Sequence, residues 1–135
     1  MAPIDESINF IPINISLITI SDSRTIDNDK SGDLLFNKIT DFGHKVIKRN
    51  LITDDVKLIK KTILSDSKSK LIDVIITTGG TGLTGRDSTP EAIESISNKL
   101  IAGFGELFRQ ISYNKIGTST IQSRAMAAII NGKYI

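Results

Sequence analysis

The segment from Thr77 to Asp87 reads TTGGTGLTGRD, and its Gly80, Gly82 and Gly85 satisfy G-x-G-x-x-G. Glycines let a backbone approach a ligand closely, and successive free N–H groups can cradle phosphate oxygens. The spacing alone is a weak dinucleotide signal. A dinucleotide site starts its helix within the glycine motif and places an acidic residue about 20 residues on, at the end of the next strand. Here the helix begins later, near Ser88, and no such strand follows. No Lys-Ser or Lys-Thr follows the glycines, which excludes a P-loop. An NAD-dependent oxidoreductase therefore rests on the glycines alone. The competing reading of the segment is a purely structural turn.

Three carboxylates lie near polar segments of the same kind. Asp87 closes the glycine segment just ahead of a helix. It can favour the helix dipole, or hold a divalent cation beside phosphates, since hard cations take carboxylate oxygens. Asp54 and Asp55 follow an apolar run, and one of them can cap the next helix. Asp54 and Asp87 on neighbouring strand ends would suit metal-assisted phosphoryl or nucleotidyl transfer. Asp22 sits in Ser21-Asp-Ser-Arg24 and is a third acidic strand-end candidate. Glu106 and Arg109, three apart, can form a surface pair on a helix. Ser119, Ser123 and Arg124 can bind a phosphate or cap a turn.

The elements that must position these groups follow from periodicity. Ile11 to Ile20 alternates and then turns mostly apolar, which predicts a strand entering a covered sheet. Asp33 to Asp41 carries apolar residues at helical spacing and stops at Phe42-Gly43, with Gly43 a left-handed cap. Lys45 to Ile52 predicts a second strand. Val56, Ile59 and Ile63 mark one face of a second helix. Leu71 to Thr77 predicts a buried strand. Ser88 and Glu91 have capping-box spacing, with Pro90 in the first turn of a third helix. A fourth helix is predicted from about Gly105 to Tyr113. Asn131-Gly132 signals a type I′ hairpin, because both central residues need positive φ. The strand after it is three residues long, so its backbone groups need partners. Residues 1–10 read as a lead-in.

This β-α-β-α-β-α order predicts an α/β fold: a three-layer α/β/α sandwich with a mostly parallel sheet and a C-terminal antiparallel hairpin. In such sheets ligands bind beyond the carboxyl ends of the strands, where Ser21–Arg24, Thr53–Asp55 and Thr77–Arg86 fall.

Composition narrows the chemistry. The chain has 135 residues, the size of one domain. It has no cysteine and one histidine, His44, which excludes thiolate catalysis, Cys-ligated zinc and multi-histidine metal sites. The formal charge is +2 and aromatics are 5%. No basic run is interleaved with aromatics, so no nucleic-acid partner is expected. No apolar stretch of about 18 residues exists, so no membrane span is expected. A cytoplasmic location is the default.

Taken together, TTGGTG-LTG-RD-S-TPEAI, GFGELFRQIS and IGTSTIQSRA resemble the MoaB/MogA family of molybdenum-cofactor biosynthesis proteins. The last segment resembles the MoaB branch. The resemblance covers Ile15 to Ile135. It implies a molybdopterin-binding α/β domain that assembles as a homotrimer, sometimes a hexamer. It implies a molybdopterin adenylyltransferase: transfer of AMP from Mg-ATP onto the terminal phosphate of molybdopterin, releasing pyrophosphate. The alternative is a catalytically silent molybdopterin- or nucleotide-binding protein of the same pathway. Matched residue by residue, the resemblance gives Asp54 and Asp87 the catalytic and Mg²⁺-positioning roles. Thr78, Gly79, Gly80, Thr81 and Gly82 match the ligand loop. Ser21 and Asp22 match the first strand-end segment, and Glu106 and Arg109 match the G-F-G-E-x-x-R helix. The family continues past the hairpin into a Pro-Gly-containing loop and a final helix, which this sequence is expected to lack.

Overall fold

The computed structural model describes residues 3–135. Its centre is a six-stranded sheet in the order β2-β1-β3-β6-β5-β4. These strands are β1 (Asn14–Ile20), β2 (Lys45–Ile52), β3 (Val74–Thr78), β4 (Lys99–Leu100), β5 (Ala128–Ile130) and β6 (Lys133–Tyr134). β1 pairs in parallel with β2 on one side and with β3 on the other. β6 runs parallel to β3, while β4–β5 and β5–β6 are antiparallel. The helices are α1 (Lys30–Asp41), α2 (Val56–Ser67), α3 (Thr89–Ile96) and α4 (Ala102–Ile116). Helices cover both faces of the sheet, as the alternation of elements predicts.

β1 shows why the layers form. Residues Ile15 to Ile20 are all buried, so both faces of the strand are covered. Ile18 and Ile20 join Ile59 and Ile63 of α2, Ala92 and Ile93 of α3, and Ile75 of β3 in one core. Each face of β1 also carries one buried hydroxyl. Ser16 donates to Asp66 of α2 at 2.6 Å, and Thr19 donates to Asp29, the cap of α1, at 2.7 Å. A buried polar group unpartnered would cost stability; here each hydroxyl ties one helix layer to the central strand.

Several boundaries differ from the periodicity. β1 begins at Asn14 rather than Ile11, and Ile11 is exposed outside the sheet. α1 begins at Lys30 rather than Asp33, because the Asp29 carboxylate accepts the Gly32 amide at 3.0 Å and caps the helix upstream. β3 begins at Val74; Leu71 is 71% exposed and stays outside the sheet. β4, two residues long, is too short for periodicity to announce. α4 extends beyond Gly105–Tyr113 at both ends. The expected unpartnered hairpin strand is corrected too. β6 is an interior strand, with Tyr134 opposite Val74 of β3 and Ile129 of β5. The turn itself is as predicted, with φ of 51° at Asn131 and 77° at Gly132. Gly43 caps α1 at φ 88°.

Candidate functional site

The carboxyl ends of β1, β2 and β3 open into a cleft of about 310 Å³. Ser21 and Asp22 reach it from β1, Asp54 from β2, and Thr78, Gly79, Gly80, Arg86 and Asp87 from the loop after β3. Ser23, Arg24 and Ser31 close its far side. The predicted residues Thr81 and Gly82 do not line it, nor do Glu106 and Arg109.

The glycine loop has to be glycine where it enters the cleft. Gly79 and Gly80 have φ of 102° and 64°, the left-handed region. A Cβ on Gly79 would stand 2.0 Å from the carbonyl oxygen of Ile20. A Cβ on Gly80 would stand 2.2 Å from the Thr89 hydroxyl and 2.6 Å from Asp54 Oδ2. The loop therefore packs its backbone directly onto the end of β1 and against the carboxylate of β2. Thr89 Oγ1 is buried there with no hydrogen-bond partner among the described residues.

Asp55, not Asp54, caps α2: its carboxylate accepts the Leu58 amide at 2.8 Å. That leaves Asp54 for the cleft. Its Oδ1 accepts the Ser88 amide at 3.1 Å and the Ser88 hydroxyl at 2.5 Å. The capping box predicted for α3 is thereby corrected. Ser88 makes no side-chain cap; its amide and hydroxyl both donate to Asp54, and Glu91 pairs with Arg124 rather than with the Ser88 amide. Asp54 Oδ2 accepts no hydrogen bond among the described residues and faces the glycine loop.

Asp22 joins the neighbouring strand ends. Its Oδ1 accepts the Asp54 amide at 3.0 Å, and its Oδ2 accepts Arg86 Nε at 3.0 Å and Nη2 at 2.8 Å. The Arg86 guanidinium, and then the Asp54 amide, hold the Asp22 carboxyl below the usual carboxylate range. Asp87 accepts the Thr84 hydroxyl at 2.5 Å and the Thr84 amide at 2.9 Å, which holds its carboxyl low as well. Both groups are carboxylates at neutral pH.

The far side of the glycine loop is pinned by Arg124. Its Nε donates to the Gly82 carbonyl at 2.8 Å and its Nη2 to the Asp87 carbonyl at 2.7 Å. The sequence allows Arg124 either phosphate binding or a turn cap; in the structure two of its donors go to backbone carbonyls of the loop and Nη1 goes to the Glu91 carboxylate. Arg109 plays a similar part. Its Nη1 donates to the carbonyls of Ser123 and Ala125 at 3.3 and 3.2 Å, and it makes no ion pair with Glu106 among the described residues. A Cβ on Gly105 would lie 2.5 Å from the Ala125 carbonyl, so the G-F-G-E-x-x-R helix packs directly onto that segment. Arg24, Ser31 and Arg86 are cleft residues that the sequence reading did not single out. For Arg24 and Arg86 the signal was there: a cation in each of two segments that already carried a candidate aspartate.

A family model described as "Probable molybdopterin binding domain" matches residues 16–133, nearly the whole chain. The chain belongs to this family. Among curated relatives of this molybdopterin-binding family, molybdenum cofactor biosynthesis protein B of Bacillus cereus is 43% identical over 124 residues, covering 91% of this chain and 73% of the relative. The protein of the same name from Escherichia coli is 38% identical over 129 residues, covering 96% of this chain and 76% of the relative. A crystal structure of molybdenum cofactor biosynthesis protein B superposes with a TM-score of 0.88 at 42% identity, covering 92% of this chain and 78% of that one. The chain is a protein of molybdenum cofactor biosynthesis with this family's fold.

Proposed function

We propose that the chain is a molybdopterin adenylyltransferase. The observation that carries this reading is the meeting of Asp22, Asp54 and Asp87 with the Gly79-Gly80 backbone in one cleft. In the proposed reaction an oxygen of the terminal phosphate of molybdopterin attacks the α-phosphorus of ATP. The bond from that phosphorus to the bridging oxygen breaks, and pyrophosphate leaves. Such transfers depend on positioning and charge stabilisation rather than on a protein nucleophile, in keeping with a cleft that has no thiol and no histidine.

The amides of Gly79 and Gly80 are the proposed phosphate donors, and Thr81 and Gly82 are assigned to ligand binding only through the family match. Mg²⁺ fits the donor set in one respect: Asp54 Oδ2 is a hard oxygen without a hydrogen-bond partner, with Asp87 in the same cleft. No group of three acidic or histidine side chains able to hold a metal exists among the described residues. The cation would therefore take its remaining ligands from phosphate oxygens and water, and would supply charge neutralisation of the triphosphate. Glu106 and Arg109, outside the cleft, are assigned to ligand binding only through the family match.

The reading carries two corollaries, a cytoplasmic location and a homotrimer. Assembly is supported by α4, on which Phe104, Leu107, Phe108 and Ile111 share one face and are all at least 45% exposed. Light scattering at micromolar concentration checks it; a monomer mass near 14.7 kDa contradicts it.

Incubation with Mg-ATP and molybdopterin tests the enzymatic reading. Pyrophosphate release that requires molybdopterin supports it. Binding of both ligands without release leaves a pterin- or nucleotide-binding protein of the same pathway.

A further inference from the structure

The cleft described above has a neighbour. A second cleft of about 290 Å³ lies between the start of α2 and the glycine loop, bordered by Asp55, Lys57, Gly85 and Ser88. Two residues border both clefts, Asp54 and Arg86. Asp54 is fixed by Ser88, but Arg86 is not fixed in the same way. Its backbone belongs to a turn held shut by Asp87, through the Thr84 amide and hydroxyl and through the Asp87 amide on the Thr84 carbonyl at 3.1 Å. Its side chain is 72% exposed and, among the described residues, bonds to one atom only, Asp22 Oδ2. Both donors converge on a single oxygen, so the fork geometry that guanidinium makes with two oxygens is unused. Exposed pairs of this kind are held weakly. Asp22 does not need Arg86 to stay in place, because its Oδ1 is anchored separately on the Asp54 amide.

We propose that Arg86 is a phosphate-positioning residue that rests on Asp22 across the boundary between the clefts and exchanges this carboxylate for phosphate oxygens when a polyphosphate binds. The exchange replaces a one-oxygen contact with a two-oxygen one and joins the two clefts beside Asp54. Asp22 acts as a competitor that keeps the guanidinium at the boundary while the clefts are empty. This inference rests on the reading of the cleft as a nucleotidyl-transfer site.

Calorimetric titration of the full chain with inorganic pyrophosphate, with and without Mg²⁺, tests it. Arg86→Gln should weaken pyrophosphate binding at least tenfold, and Arg86→Lys should recover only part of the loss, since an ammonium cannot bind two oxygens as a fork. Asp22→Asn should tighten binding severalfold, and that gain should vanish in the Arg86→Gln background. Thermal unfolding of Arg86→Gln should match the parent, because the pair it removes is exposed. Equal pyrophosphate affinity in parent and Arg86→Gln overturns the inference while leaving the transferase reading intact. So does a gain from Asp22→Asn that persists without Arg86. If the parent binds neither pyrophosphate nor ATP, both readings fall together.

Discussion

The molecule uses aspartate in two opposite ways, and the difference lies in what surrounds each carboxylate. Asp29 and Asp66 are each 1% exposed, below β1 on either face of the sheet. Asp29 accepts Thr19, Arg49 and the Gly32 amide; Asp66 accepts Ser16 and Lys48. Both oxygens of each are bonded within the fold and neither carboxylate reaches solvent, so neither is open to a ligand. Asp22, Asp54 and Asp87 stand at strand ends and border open space, and Asp54 keeps one oxygen without a hydrogen-bond partner among the described residues. A buried charge must be satisfied by the protein, whereas a strand-end charge can be satisfied by a ligand. Acidity alone therefore identifies neither role.

The sharpest test of this contrast is Asp29→Ala. It leaves the buried Thr19 hydroxyl without its acceptor, removes the cap of α1 and leaves Arg49 with Asp33 alone, so it should destabilise the fold by about 2–4 kcal/mol, the sum of an unsatisfied buried group and a lost cap. Urea unfolding followed by circular dichroism measures it. A loss no larger than that of a surface substitution would erase the distinction between the two classes.

Asp87→Asn should do the reverse. It keeps the side chain's shape and an acceptor for Thr84 but removes the charge, so pyrophosphate release should fall roughly a hundredfold or more with little change in Tm. Asp54→Asn should behave alike. Turnover near that of the parent would return either residue to a purely structural role, as a partner of Thr84 or of Ser88.

Gly80→Ala probes the boundary between the regions. A side chain at φ 64° is strained, and its Cβ meets Thr89 and Asp54. The expected cost is about 1–3 kcal/mol of stability, with weaker ATP binding measured by calorimetry. Full affinity in a folded variant would make the loop a structural turn only.

The smallest effect is on pH dependence. Burial alone raises the Asp29 pKa, but hydrogen bonds from Thr19, Arg49 and Gly32 outweigh it and leave the carboxyl below its ordinary value. A lowered folded pKa means stability that is present above the unfolded value of about 3.9 and lost as pH falls through the folded one. Asp29→Asn should therefore flatten part of the acid limb of stability below about pH 4 in a denaturant series. An unchanged limb would mean that other carboxylates set it.

Much of this organisation was legible in the sequence. The strand-end segments, the glycine loop and the hairpin turn are local signals, and all were placed correctly. Asp54 was separable from Asp55 only in three dimensions, because either can cap a helix and only the fold shows which one accepts the Leu58 amide. The pairing of Ser88 with Asp54 spans 34 residues and overrides a local capping-box pattern. Arg109 and Arg124 read as candidate ligand-binding cations, yet Arg109 is spent on backbone carbonyls and Arg124 on backbone carbonyls and Glu91, all beyond local sequence reach. Asp29 and Asp66 carry no periodic signature at all; their roles depend on Ser16 and Thr19 lying on opposite faces of one strand.

A crystal structure of the chain with molybdopterin, Mg²⁺ and a non-hydrolysable ATP analogue would show which carboxylates serve the ligand and which serve the fold. Phosphate oxygens are expected within hydrogen-bond distance of the Gly79 or Gly80 amides, with Asp54 and Asp87 beside them and Asp29 and Asp66 still bonded to Thr19 and Ser16. Phosphates bound away from the strand ends, with Asp54 and Asp87 touching neither ligand nor cation, would contradict this division of roles.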